Sequence, residues 1–239
     1  MFEQSGTFKN EFKKLGVEAF DYDIQNEFNQ TDYVIDLFEE IRKGYENEPS
    51  IFDNFKPEDV ILAFFPCTRF ETQITLWFRG CALQQKNMSD IQNLESDIKL
   101  HKELHLYYTR LCQLCVVVLK RGLRMVFENP YTQPHYLTTY WCLKPKVIDK
   151  NRRLNGDYQN KPTQYWFVGF EPQDNLIFEP IEYVEYRTHN GARKVDGKSR
   201  ETMRSMIHPQ YANRFIRQYI IDGERLDVYG KIKNQTSDK

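Results

Sequence analysis

Short apolar runs closed by polar turns alternate along this chain with stretches in which apolar residues recur every three or four positions. The first kind reads as buried strands and the second as amphipathic helices. Val60-Ile61-Leu62-Ala63-Phe64-Phe65 is the clearest run: it has no helical period and stops at Pro66. Val17–Ile24, Tyr33–Leu37, Leu123–Phe127 and Gln164–Phe170 have the same character. Phe8, Phe12 and Leu15 predict a helix that Gly16 closes. One long helix is expected from about Ser89 to Arg121, with Ile91, Leu94, Ile98, Leu104, Tyr108, Leu111, Leu114 and Val118 as its apolar stripe and Gly122 as its stop. Pro209–Ile221 reads as a further helix, with Tyr211, Phe215 and Tyr219 four residues apart. Residues 38–55 read as a helix and a loop, and residues 131–160 as a long loop; the form of Ile74–Phe78 stays open. Strands alternating with helices predict an α/β fold, a mostly parallel sheet with helices on both faces and a small irregular appendage.

Chemistry in such sheets gathers beyond the carboxyl ends of the strands. Pro66-Cys67 follows one predicted strand and Glu128-Asn129-Pro130 follows another, so a thiol and a carboxylate are expected side by side. Ser5-Gly6-Thr7 forms a glycine turn ahead of the first helix, a natural cradle for a polar or anionic group. Asp23 stands roughly 20 residues beyond it, where an acid takes a ribose hydroxyl pair in nucleoside-binding sheets. Asp36 ends the next run. Cys112 and Cys115 form a CxxC within the long helix and, with no second pair, read as core. No metal site is expected.

Composition narrows the class. The 239 residues carry a net charge of −1, 40% hydrophobic and 28% charged positions, as in an ordinary globular protein. That balance excludes coating nucleic acid by charge alone, but it leaves room for a local basic face. Residues 187–217 supply one, with Arg193, Lys194 and Lys198 around a glycine-punctuated loop suited to phosphate contact. No run approaches a membrane span, Met1-Phe2-Glu3-Gln4 lacks signal-peptide character, and five cysteines without a disulfide spacing fit a reducing, cytoplasmic compartment.

The ordered set (a glycine turn, acids on two successive strands, Pro-Cys, Glu-Asn-Pro, then a strand ending Phe-Val-Gly) resembles the cytosine-C5 DNA methyltransferases, particularly their short phage-like members. The resemblance spans residues 2–170. It implies a Rossmann-like methyltransferase fold that binds S-adenosylmethionine (SAM) and acts on carbon 5 of cytosine in duplex DNA. Phe2, Ser5, Gly6, Thr7 and Phe8 would then hold the methionine end of SAM; Asp23 and Ile24 would meet the ribose, Asp36 the adenine, and Pro66 would border the cofactor. Cys67 would be the nucleophile and Glu128 the acid, with Pro66 and Asn129 completing their motifs. Where the family carries an arginine motif, this chain reads Lys161-Pro162-Thr163-Gln164, which leaves Arg152, Arg153 or Lys161 to take that place. Arg69, Arg152, Arg153, Lys161, Gln164, Arg193, Lys194 and Lys198 are the expected DNA contacts. The first strand is reduced to Met1-Phe2-Glu3 at most. The implied organisation is a catalytic domain over 1–170, a target-recognition segment over 171–203, a C-terminal helix over 204–230 packing back, and a flexible tail over 231–239. A homodimer or a partner subunit is compatible with this, as is a catalytically weak or inactive relative that binds SAM or DNA.

Overall fold

The computed structural model describes residues 1–185, 205–226 and 231. The elements in chain order are α1 (Thr7–Lys14), β1 (Tyr22–Asp23), β2 (Tyr33–Val34), α2 (Leu37–Tyr45), β3 (Val60–Ala63), α3 (Thr72–Phe78) and α4 (Asp90–Lys120). They continue with β4 (Arg124–Pro130), α5 (Tyr136–Tyr140), β5 (Val147–Asp149), β6 (Thr163–Val168) and α6 (Pro209–Tyr219). This is a mixed α/β molecule with a four-stranded sheet ordered β3-β4-β6-β5 and a separate pair β1-β2.

β3 and β4 are parallel, whereas β6 runs antiparallel to both β4 and β5. The expected mostly parallel sheet is therefore a mixed one, because a reversed strand enters between β4 and β5. β5 in turn runs in the direction of β3 and β4. The β1-β2 pair is parallel. Met1 and Phe2 stand between the two sheets. The Met1 nitrogen donates to the Leu62 carbonyl at 2.7 Å, Phe64 N–H donates to the Met1 carbonyl at 3.0 Å, and Phe2 N–H donates to the Tyr22 carbonyl at 2.9 Å.

Alternation along the strands sends side chains to two cores. Ile61, Ala63, Met125, Phe127, Trp166 and Val168 pack with Leu37 and Ile41 of α2 and with Leu104, Leu111, Leu114 and Val118 of α4. On the other face Val126, Tyr165 and Phe167 pack with Phe8 of α1 and with Tyr211, Phe215 and Ile216 of α6. Helices thus cover both faces. Each fully buried Leu, Ile or Phe of these clusters contributes about 1.5–3 kcal/mol relative to exposure.

Local chemistry sets the ends. The Ser89 hydroxyl accepts from Gln92 N–H at 3.3 Å while Gln92 Oε1 accepts from Ser89 N–H at 2.9 Å, so a reciprocal cap starts α4. Gly122, at φ +65°, follows its end. Gly169 follows β6 at φ +82°, and a Cβ there would lie 2.3 Å from the Leu123 carbonyl oxygen, so only glycine fits this crossing.

Several expectations are corrected. Residues 131–160 are not one loop: they contain α5, β5 and a 3-10 turn at Arg152–Asn155. Ile74–Phe78 is helical, and the strands expected over Val17–Ile24 and Tyr33–Leu37 shrink to two residues each. The stripe expected along α4 divides: its carboxyl-terminal members are buried, but Ile91, Leu94 and Ile98 are exposed. Residues 171–185 form no regular element and lie along α6, with Gln173 N–H donating to the Tyr219 carbonyl and Asn175 N–H to the Gln218 carbonyl. Among the described residues, no helix is long and apolar enough to cross a membrane.

Candidate active site

Three chain ends converge beyond the carboxyl ends of β3 and β4. β3 continues through Phe64 and Phe65 to Pro66-Cys67, and Phe65 is locked in the core with its ring centroid 5.2 Å from Phe2 and 5.6 Å from Phe38. The Asn129 side-chain amide donates to the Phe65 carbonyl at 3.1 Å, tying the end of β4 to the cysteine segment. The Cys67 carbonyl then accepts from Phe70 N–H at 2.8 Å and from Glu71 N–H at 3.2 Å, which turns the chain at the thiol.

Cys67 is half-buried. Burial pushes its thiol up to about 11; Glu128 and Glu71 push the same way, while Lys161 opposes them. The thiol, the Glu128 carboxylate and the Lys161 ammonium are therefore within electrostatic reach of one another. Lys161 arrives because β6 begins beside the end of β4, with Tyr131 N–H donating to the Pro162 carbonyl at 2.9 Å.

Glu128, expected just past its strand, lies within β4 opposite Tyr165. Its Oε1 is buried and has no hydrogen-bond partner among the described residues; Arg152 Nη1 is 3.9 Å away. Arg152 comes from the turn Arg152–Asn155, which the Asn151 side chain caps and Gly156 closes at φ +91°. Arg152 is itself enclosed: Nε donates to Asp157 Oδ2 at 2.6 Å, Nη2 donates to the same oxygen, and Nη1 donates to Thr163 Oγ1 at 3.4 Å. The guanidinium lies 5.1 Å over the Tyr211 ring, and the Tyr211 and Tyr165 hydroxyls are 2.9 Å apart. Burial opposes the charge on Arg152, but Asp157 above all outweighs it and holds the guanidinium's pKa above its ordinary value.

Two expected DNA contacts are thereby corrected. Arg152 is sealed under α6, bonded to Asp157 and Thr163, with Nη1 3.9 Å from Glu128. Gln164 is fully buried, its Nε2 donating to the Pro130 carbonyl at 2.9 Å and its Oε1 accepting from Thr138 Oγ1 at 3.0 Å. Arg69 is half-buried with its Nε donating to Glu103 at 2.6 Å, and Arg153 lies 6.0 Å over the Tyr183 ring. Arg193, Lys194 and Lys198 fall outside the described residues.

The expected cofactor residues cluster at the other side of Met1–Phe2. Glu3 fills the start of α1, accepting from Ser5 Oγ at 2.6 Å and from Thr7 N–H at 2.8 Å. Gly6 has φ +70°, and a Cβ there would lie 2.9 Å from Gln30 Cβ, so the glycine admits a close approach of the 24–31 loop. Burial raises the carboxyl pKa values of Glu3 and Asp23 and brings Asp21 up to about 7. Lys9 bonds Asp32 at 2.9 Å and lies 3.8 Å from Asp21. Ile24 is exposed beside Asp23. Two expected cofactor contacts have other partners. Asp36 caps α2, accepting from Phe38 N–H at 3.0 Å and Glu39 N–H at 3.3 Å, and the Phe8 ring is buried against Phe64 at 4.9 Å.

His135 escaped the sequence reading altogether. It is buried, burial lowers its pKa to about 4, and its Nε2 has no hydrogen-bond partner among the described residues. It belongs to the turn beside Cys67, where Tyr136 N–H donates to the Phe70 carbonyl at 2.8 Å. No local signal marks it, since a lone histidine before a short helix has none. A cleft of about 300 Å³ lies between β5 and α6, and an open groove runs along α1; neither is lined by Cys67 or Glu128. Comparison with protein-family models, with curated proteins and with solved structures finds no significant match.

Proposed function

We propose that this chain is a SAM-dependent methyltransferase acting on carbon 5 of cytosine in DNA. The observation that carries this reading is the delivery of Cys67 and Glu128 to the same end of two adjacent parallel strands, with Arg152 of the neighbouring hairpin 3.9 Å from Glu128. The strand arrangement supports it. With Met1–Phe2 counted as an extended segment, the first five segments lie in the spatial order 3-2-1-4-5 of doubly wound nucleotide-binding sheets.

The residues present suit SAM at its cationic methionine end. Glu3, Asp21 and Asp23 are carboxylates gathered round the buried Met1 ammonium; burial raises their pKa values, Glu3 raises that of Asp21 further, and a positively charged ligand beside them would add a second cation favouring their charged forms. The fit is poorer at the adenine end, where both Asp36 contacts already belong to α2. When bound, SAM supplies an electrophilic methyl group.

The chain's own residues do the rest. The Cys67 thiolate adds to carbon 6 of the ring, which breaks its aromaticity and leaves carbon 5 nucleophilic toward that methyl group. Glu128 Oε1, open because Asp157 rather than Glu128 takes two of the Arg152 bonds, meets ring nitrogen 3 and donates a proton as the thiolate adds. Loss of the carbon 5 proton to a solvent water, with ring nitrogen 3 returning its proton to Glu128, then expels the thiolate and restores the ring. Because carbon 6 is shielded in a duplex, the nucleotide must be flipped out, at a few kcal/mol. Asn129 fixes the spacing of the two motifs through its bond to the Phe65 carbonyl.

One observation favours a catalytically weak relative that binds SAM or DNA. A thiol at about 11 is ionised in only about one molecule in 10⁴ at neutral pH. Transfer of labelled methyl from SAM to cytosine-containing duplex DNA, with Cys67→Ala as control, separates the two readings. Label at carbon 5 that disappears in the variant supports the enzyme. Binding of SAM or DNA without transfer supports the relative, and binding of neither removes both.

A further inference from the structure

Charged groups reach Cys67 from the elements around it, and most of the cations among them are already committed. Glu128 comes from β4 and Glu71 from the turn ahead of α3, and both act against ionisation of the thiol. Arg152, from the neighbouring hairpin, spends Nε and Nη2 on Asp157. Arg69, in the turn that follows the thiol, donates to Glu103 and to the Thr68 carbonyl. His135, ahead of α5, is uncharged at neutral pH, because burial lowers its pKa to about 4. Lys161 remains. It is half-buried, and its Nζ has no hydrogen-bond or ion-pair partner among the described residues.

Backbone contacts fix where Lys161 stands. Pro130 pairs with Thr163 in the β4-β6 ladder, and the bond from Tyr131 N–H to the Pro162 carbonyl carries that contact to the rim. Lys161 is the next residue outward, at the end toward which β3 delivers Cys67. The same end of β4 also holds the thiol segment, through the 3.1 Å bond from the Asn129 amide to the Phe65 carbonyl. Pro162 confines the residue before it to extended backbone. The Thr163 hydroxyl donates to the Lys161 carbonyl at 3.3 Å and accepts from Arg152 Nη1 at 3.4 Å. A rigid backbone therefore presents a long, unpaired cation to the thiol, and it is the one group there that favours the charged sulfur electrostatically.

We propose that Lys161 is a positioning residue for Cys67: its ammonium pairs with the sulfur once the thiol is ionised, against the repulsion of Glu71 and Glu128. The inference rests on the methyltransferase reading, in which that sulfur attacks carbon 6. In the protonated form that the attack requires, Glu128 carries no charge, so only Glu71 is left opposing Lys161. A proton on Glu128 and a negative charge on Cys67 thus favour one another, and Lys161 supplies the cation that neither acid can.

Alkylation of Cys67 by iodoacetamide tests this without SAM or DNA. The thiolate displaces iodide and forms a carbon–sulfur bond, and mass spectrometry of the Cys67 peptide separates it from the other cysteines. Between about pH 6.5 and 9, Lys161→Met is expected to slow the reaction about tenfold, and Lys161→Arg to stay within about threefold of wild type. Glu71→Gln is expected to speed it about threefold, a change of opposite sign from a substitution that keeps the side chain's shape. Circular dichroism verifies the fold of each variant. A Lys161→Met rate equal to wild type, a Lys161→Arg rate as slow as Lys161→Met, or a Glu71→Gln rate no faster than wild type overturns the inference. A chain whose alkylation follows these expectations but which transfers no methyl group removes the methyltransferase reading and leaves the pairing of Lys161 with Cys67 standing.

Discussion

Around Cys67 and Glu128 the charged groups are tied to one another, whereas near the Glu3–Thr7 turn Glu3, Asp23 and Asp36 are held by nearby backbone amides and only Lys9 pairs with acids, Asp32 and Asp21. Arg152, Asp157 and Glu128 form a buried set beside the long strands β4 and β6, and removing Asp157 leaves the Arg152 guanidinium without its main partner. Glu3, Asp23 and Asp36 each accept backbone N–H groups near themselves in sequence, at positions joined by two-residue strands. The first arrangement is costly to disturb and fixes geometry. The second loses little when one contact goes and leaves room for a ligand to reorganise it. A reaction centre needs rigid placement of its atoms, and the region expected to clasp a cofactor can tolerate adjustment.

Substitutions should expose this difference. Asp157→Ala strands the buried Arg152 guanidinium and is expected to destabilise the fold by about 3–5 kcal/mol in urea denaturation. Glu128→Gln keeps the shape of the site but removes the proton it donates, so turnover should fall by about 10²–10⁴ with SAM binding retained; equal losses of binding and turnover would contradict the assignment. Asp36→Ala removes only a helix cap and is expected to cost about 1 kcal/mol. A cost approaching that of Asp157→Ala would erase the contrast between the two regions. A further effect is in pH. Between its ordinary value of 3.8 and about 7, Asp21 in the folded state holds a proton that the unfolded chain has released. Stability should therefore decline as pH rises through that window and level off above it, and Asp21→Asn should flatten the decline.

What could be read in advance follows the same division. Cys67 and Glu128 were legible because each sits at the end of a short apolar run, and α4 was legible because Ser89, Gln92 and Gly122 mark its ends in the sequence. The place of Arg152 was not: its burial depends on Asp157, Tyr211 and Thr163, which the fold brings together from the adjoining hairpin and from α6. β5 went unseen because three residues carry no period, and its identity as a strand comes entirely from pairing with β6. The two faces of α4 merged into one stripe because apolar spacing alone does not say which side of a helix meets the body. Ile91 and Leu111 both obey the spacing and point in different directions.

The reversal of β6 has a consequence for how such a protein can diversify. Because β5 and β6 are antiparallel neighbours, the segment from Lys150 to Pro162 leaves and re-enters the sheet at one end, the end that holds Cys67 and Glu128. Its tip can lengthen or change composition while both strands keep their register, and each doubling of loop length costs only about 0.6 kcal/mol in closure entropy. The Arg152–Asp157 bond inside the segment is the part that cannot drift. Within the segment's last residues Asn160 is exposed, whereas Gln159 is buried and Tyr158 packs edge-on against His208, so the position open to new surface is Asn160.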